Sequence, residues 1–175
     1  MKEVEKDYKD VLCCVHSTDK FEAIEEVIQV CPVFSDITDI PAFTRAVLRR
    51  ERIETTGIGR GVAIAHGKMP SIEKVHVGLG LSEEGIDFQS PDGKLVHLLF
   101  VIGSSPFSQV DYLRALAAIM RFIKEVDVRK ELMKHIKLDF KDEKLESCNR
   151  FLHMMLSQHF SLLQDHLDNK RPPQE

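Results

Sequence analysis

Arg49–Lys68 reads RRERIETTGIGRGVAIAHGK, and the order of its parts decides how the rest of the chain is built. A basic helical end gives way to Gly57, Gly59 and Gly61, which permit positive φ and close backbone approach. An apolar run, Val62–Ala65, then delivers His66. A dinucleotide fingerprint runs strand, glycines, helix; here the helical pattern Ala42–Arg52 precedes the glycines and a strand-like run follows them. A Walker A loop has four residues between its first glycine and Gly-Lys, then Ser or Thr, whereas Gly61 and Gly67 are separated by five and Met69 follows Lys68. Both nucleotide readings fail on order or spacing. Two remain: a tight helix-to-strand connection without chemistry, or a loop that brings a phosphate to His66.

A histidine at a strand end beside Gly67 and Lys68 can accept a phosphoryl group. Neutral imidazole offers one lone-pair nitrogen as nucleophile while a carbonyl or a carboxylate holds the other N–H, and its pKa keeps the neutral form available near pH 7. Gly67 would let a bulky partner approach, and loop N–H groups with Arg49, Arg50, Arg52 or Arg60 would neutralise phosphoryl oxygens.

At these residues the chain resembles enzyme IIA of the fructose/mannitol class (type 2) of the bacterial phosphoenolpyruvate:sugar phosphotransferase system, including its nitrogen-regulatory branch. The family's pattern is R-E, a few residues, S/T-T-G-I-G-x-G-x-A-I-P-H-G-K; here it reads Arg50-Glu51, then Thr55 to Lys68 in step, with Ala65 in place of the proline. A second stretch, Ile86–Phe100, is similar to the family's I-x-F-x-x-x-D-x-x-x-V-x-L-L-F, with Asp92 and Val96 in register. The resemblance implies that His66 is the phosphoryl acceptor, that Arg50 faces the phosphate, and that Thr56, Gly57, Gly59, Gly61 and Gly67 form the phosphate-binding loop. The family places a second histidine in H-L-x-x-L; this chain has Tyr112-Leu113-Arg114-Ala115-Leu116, so Tyr112 stands where that histidine would be. Tyr112 can donate a hydrogen bond but cannot become a cation near neutral pH. No cofactor, metal or nucleotide is required at this step by the family's chemistry.

The remaining chain is read around that segment. A length of 175 residues suits one domain, and 43% hydrophobic with 30% charged residues describes a globular protein without an apolar run of membrane-spanning length. The first ten residues lack a hydrophobic segment, so a cytoplasmic location is expected. Cys13, Cys14, Cys31 and Cys148 show no C-x-x-C spacing, which points to reduced thiols. A net charge of −4 argues against a broad nucleic-acid surface while leaving a local basic patch over Arg45–Arg60.

Val11–Val15 predicts a buried strand and Lys20 to Val30 a helix capped from Ser17-Thr18-Asp19, with Phe21, Ile24, Val27 and Ile28 inward. Pro32 ends it, and Pro41 opens a second helix whose Phe43, Ala46 and Val47 face the core. Val75–Leu81 alternates as a strand with His76 on its outer face; Ile86-Asp87-Phe88 begins another extended piece; Ser90–Gly93 is a turn. Val96–Ile102 suits a central strand with His97 packed, and a helix from Ser108 or Gln109 to Lys124 is expected to bury Leu113, Leu116, Ala117, Met120 and Phe122. Asp127–Ile136 and a longer helix from Asp142 complete the pattern; His153, His159 and His166 there are spaced by six and seven, not by the three or four of a helical metal pair.

Alternating helices and strands predict an α/β fold, and the resemblance implies a three-layer α/β/α sandwich with a central mixed sheet. The expected organisation is an N-terminal extension over 1–10, the enzyme IIA-like domain over 11–156, and a helical extension and tail over 157–175, with the Leu152–Leu163 stripe serving a homodimer. The leading expectation is a regulatory phosphocarrier that takes its phosphoryl group from an HPr-like donor protein and acts on a regulatory target or transporter component, without nucleic acid or membrane insertion. Two others stand beside it: a non-catalytic interaction module on the same fold with His66 unphosphorylated, and a small-anion binding domain.

Overall fold

The computed structural model describes residues 11–124. The elements in order are β1 (Leu12–Val15), α1 (Lys20–Val30), a 3-10 turn (Pro32–Phe34), α2 (Ile40–Ile53), β2 (Gly57–Gly59), β3 (Val62–Lys68), β4 (His76–Ile86), β5 (Val96–Ser104) and α3 (Gln109–Lys124). Caps set the first two helices: the Asp19 carboxylate accepts from Phe21 N and Glu22 N, and the Asp39 carboxylate from Ala42 N.

The strands form one mixed sheet in the order β1-β4-β5-β3-β2, parallel between β1 and β4 and between β3 and β5, antiparallel elsewhere. Period-two alternation divides its side chains between two cores. Ala63, Ala65, Leu99 and Val101 pack with Ala23, Ile24, Val27, Phe43 and Val47 of α1 and α2, while Val62, Ile64, Leu98, Phe100 and Ile102 pack with Tyr112, Ile119, Phe122 and Ile123 of α3. That makes the expected three layers, with β5 in the centre.

Several expectations need correction. The Gly57–Gly61 segment is a strand and a tight turn rather than an open loop. Gly57–Gly59 pairs antiparallel with β3, and Arg60 (φ 59°) with Gly61 (φ 78°) supplies the two positive φ values that a two-residue hairpin turn of type I′ requires. Helix α3 is rotated from the expected face: it buries Tyr112, Ala115, Ala118, Ile119, Phe122 and Ile123, leaving Leu113 51% and Met120 37% exposed. Counting apolar residues misjudged that stripe because the two alanines, not the larger leucine and methionine, are the fully buried ones. No strand starts at Ile86; β4 ends there, and Asp87 makes only an isolated bridge to Asp19. Cys13, Cys14 and Cys31 form no disulfide. The extension 1–10, the end of the domain at 156, the tail 157–175, the helices after Asp127, the Leu152–Leu163 stripe, Cys148 and His153, His159 and His166 lie outside the described residues.

Candidate active site

Alternation along β3 sends Val62 and Ile64 to the α3 side of the sheet, and His66 and Lys68 follow at the same period. Ala63 and Ala65 face the other way, and so does the Cα of Gly67. A Cβ built on Gly67 would stand 2.7 Å from Val47 Cγ2 and 3.0 Å from Val47 N, so the glycine admits the backbone of α2, not an outside partner as expected.

The His66 ring is half-buried, with Nδ1 3.2 Å from its own strand's Ile64 carbonyl oxygen. A carbonyl only accepts, so in the neutral ring Nδ1 carries the proton and Nε2 keeps the lone pair. The question left open by sequence, carbonyl or carboxylate, is answered in favour of the carbonyl. Burial, chiefly, holds the His66 pKa below its ordinary value of 6.5; the Ile64 hydrogen bond opposes this, the charges of Arg50 and Lys68 add to it, and Glu51 opposes it. The neutral form is therefore the resting form at neutral pH.

Tyr112, in the first turn of α3, lies with its ring centroid 5.7 Å from that of His66 at an interplanar angle of 49°. Burial raises the pKa of its phenol, against a pull from Arg50, so the hydroxyl is a neutral hydrogen-bond group. Lys68 Nζ sits 4.8 Å from the Tyr112 centroid and donates to Gln109 Oε1 at 2.6 Å. Arg50, in the last turn of α2, donates from Nη1 to the Glu54 carbonyl at 2.9 Å, and its charge acts on both His66 and Tyr112. β2 covers only the first part of β3, since its pairing runs no further than Thr56 O accepting from Ile64 N. Past that point the β3 edge has no strand beside it among the described residues.

Behind Arg50 lies a buried ionic cluster. Glu51 is 1% exposed and accepts from Lys20 Nζ at 3.2 Å, from Thr56 N at 3.1 and 3.2 Å, and from the Thr56 hydroxyl. Thr56 is thereby committed to Glu51, and its expected place in a phosphate cradle is taken by a structural one. Gly57 packs beneath Phe88 and Ser90. Gly59 and Gly61 are displaced altogether: Gly61 closes the turn five residues before His66, roughly 16 Å away along an extended strand. There Asp92 accepts from Arg60 N at 2.8 Å and Lys94 N at 3.1 Å, contacts that hold its carboxyl below the ordinary range. Of the expected site, then, His66, Arg50 and Tyr112 come together and the glycine loop does not. Sequence reading missed Lys68 and Glu51 as members. Lys68 was findable, because two residues along a strand returns to the same face; Glu51 was not, because its partner Lys20 is 31 positions away. Among the described residues no group of three or more His, Cys, Asp or Glu could hold a metal ion.

Residues 7–139 match the family described as "Phosphoenolpyruvate-dependent sugar phosphotransferase system, EIIA 2". Relatives include a nitrogen regulatory protein of Bradyrhizobium diazoefficiens, 33% identical over 70% of this chain and 79% of that protein. The fructose-specific EIIABC component of Bacillus subtilis is 32% identical over 68% of this chain, which spans 19% of that longer protein. Among solved structures, the nitrogen regulatory protein IIA-Ntr from Neisseria meningitidis superposes with a TM-score of 0.66 at 21% identity, covering 81% of this chain and 94% of that one. Enzyme IIA of the mannitol system from Escherichia coli, solved in complex with phosphorylated enzyme IIB, gives 0.52 at 20% identity over 72% of this chain and 94% of its own. No helix among the described residues is long and apolar enough to cross a membrane.

Proposed function

Because this chain belongs to the EIIA type 2 family of the phosphoenolpyruvate-dependent sugar phosphotransferase system, we infer that it is a phosphocarrier whose His66 accepts a phosphoryl group from the phosphohistidine of an HPr-like protein. The observation that carries the reading is the Nδ1 contact with the Ile64 carbonyl, which fixes the tautomer and leaves Nε2 as nucleophile. Nε2 attacks in line; the Nε2–P bond forms as the donor's N–P bond breaks. The departing imidazole keeps the electron pair and the proton on its other nitrogen and leaves neutral, while the His66 ring gains the positive charge, shared through Nδ1–H with the carbonyl. Little covalent help is needed beyond positioning and charge, which Arg50 supplies from the end of α2 and Tyr112 supplements as a neutral donor. The onward acceptor is a regulatory target or a transporter component. A regulatory role is favoured by the similarity to nitrogen regulatory proteins along most of their length.

The test is incubation with phosphoenolpyruvate, enzyme I and the cognate donor protein, followed by intact mass and acid lability of the wild type and of His66→Ala. An acid-labile adduct on the wild type alone is expected. A wild type without adduct beside a fully phosphorylated donor would shift the assignment to an interaction module, the role that Tyr112 in the second histidine's position would then explain.

A further inference from the structure

We propose that Lys68 supplies the positive charge that Tyr112 cannot, its ammonium leaving Gln109 to contact the oxygens of a phosphoryl group on His66 Nε2. The inference rests on the phosphocarrier reading of His66.

His66 and Lys68 lie two residues apart on β3 and on its α3 face, and both approach one ring: the His66 centroid is 5.7 Å and Lys68 Nζ 4.8 Å from the Tyr112 centroid. The aromatic face holds the cation beside His66 while the phenol stays neutral. Lys68 Nζ has three N–H donors, of which Gln109 takes one, and that amide is an exposed, neutral acceptor that a phosphoryl dianion outcompetes. Arg50 acts on the ring by its charge from α2, on the opposite layer of the sandwich, so the two cations come from different elements and can flank a phosphoryl group on Nε2. Ser104, the β5 partner of Lys68 in the sheet register, holds a buried hydroxyl that finds no hydrogen-bond partner among the described residues. Lys68 keeps all its protons throughout; its contribution is electrostatic, and no bond to it forms or breaks.

The experiment compares wild type, Lys68→Met and Lys68→Arg in the reconstituted transfer assay, following the rate at which phospho-His66 appears, with melting temperatures measured in parallel. Lys68→Met keeps the aliphatic stem and removes the charge; the rate is expected to fall about tenfold to a hundredfold with melting unchanged, as for loss of one charge-stabilising group. Lys68→Arg should recover most of that loss. A Lys68→Met protein labelled at the wild-type rate overturns the role of Lys68 and leaves the carrier reading standing. So does a Lys68→Arg protein as slow as Lys68→Met. A wild type that takes no label from a phosphorylated donor overturns the carrier reading itself, and this role with it.

Discussion

The two ends of β3 come from one continuous motif and do unlike work. At its start, Gly59, Arg60 and Gly61 turn the chain back on itself, and the glycines are there for backbone conformation: φ is +85° at Gly59 and +78° at Gly61. At its end, Gly67 has no unusual φ and is there for space, because α2 lies against it. The first end is held by an exposed carboxylate, Asp92; the second feels the charge of a carboxylate shut away from water, Glu51. Motif glycines are therefore not interchangeable evidence for a ligand loop. Only the end where a half-buried histidine, a buried ionic cluster and a strand edge unpaired among the described residues coincide has the makings of a reaction site.

That contrast can be broken deliberately. The largest effect is expected from Glu51→Ala, which leaves Lys20 Nζ without its carboxylate and strips the partner from Thr56 N–H and its hydroxyl; removing one member of a buried pair costs about 3–5 kcal/mol, measurable by denaturant unfolding. A loss within the range of a surface mutation would mean that the cluster does not secure the His66 end. At the opposite end, Gly61→Ala has room for its methyl group, 3.6 Å from the Leu95 carbonyl, but imposes a left-handed residue, and a loss of about 1–2 kcal/mol is expected. Phosphoryl transfer by that variant should be unchanged. A collapse of transfer with stability intact would restore the turn as part of the site.

The smallest expected effect separates the two ends by pH. The folded-state pKa of His66 lies below 6.5, so its contribution to stability is present above 6.5 and lost as pH falls through the lowered value; the nucleophile disappears in the same interval. Asp92 titrates below 3.8. NMR-monitored acidification from neutrality should thus protonate the His66 ring while the Arg60 and Lys94 amides, still bonded to Asp92, show no change. A His66 ring that titrates at or above 6.5 would contradict the burial and the paired cations around it.

Much of this is legible in the sequence. A cap within His16–Asp19, Pro32 as a stop and the apolar run at Val96–Ile102 follow from local chemistry, since caps, breakers and periodicity act within a few residues; that Asp19 is the candidate that caps, the fold decided. The face of α3 was not legible in the same way. Tyr112, Ala115, Ile119 and Phe122 form one stripe, Leu113 and Met120 another, and only the sheet's position selects between them.

What the sequence determined by itself is the set of candidate parts: a histidine at a strand end, an arginine at a helix end and a tyrosine at the start of another, in a spacing that also points to the family. What only tertiary structure decided is which motif residues meet. Strand extension carries Gly61 away from His66, alternation turns Lys68 toward it, Thr56 is committed to Glu51 five residues before it, and Lys20 joins that carboxylate from 31 residues away. Extension and alternation are local rules, but their result depends on where β2 stops pairing and which helix covers each face, and those are settled by packing between segments distant in sequence.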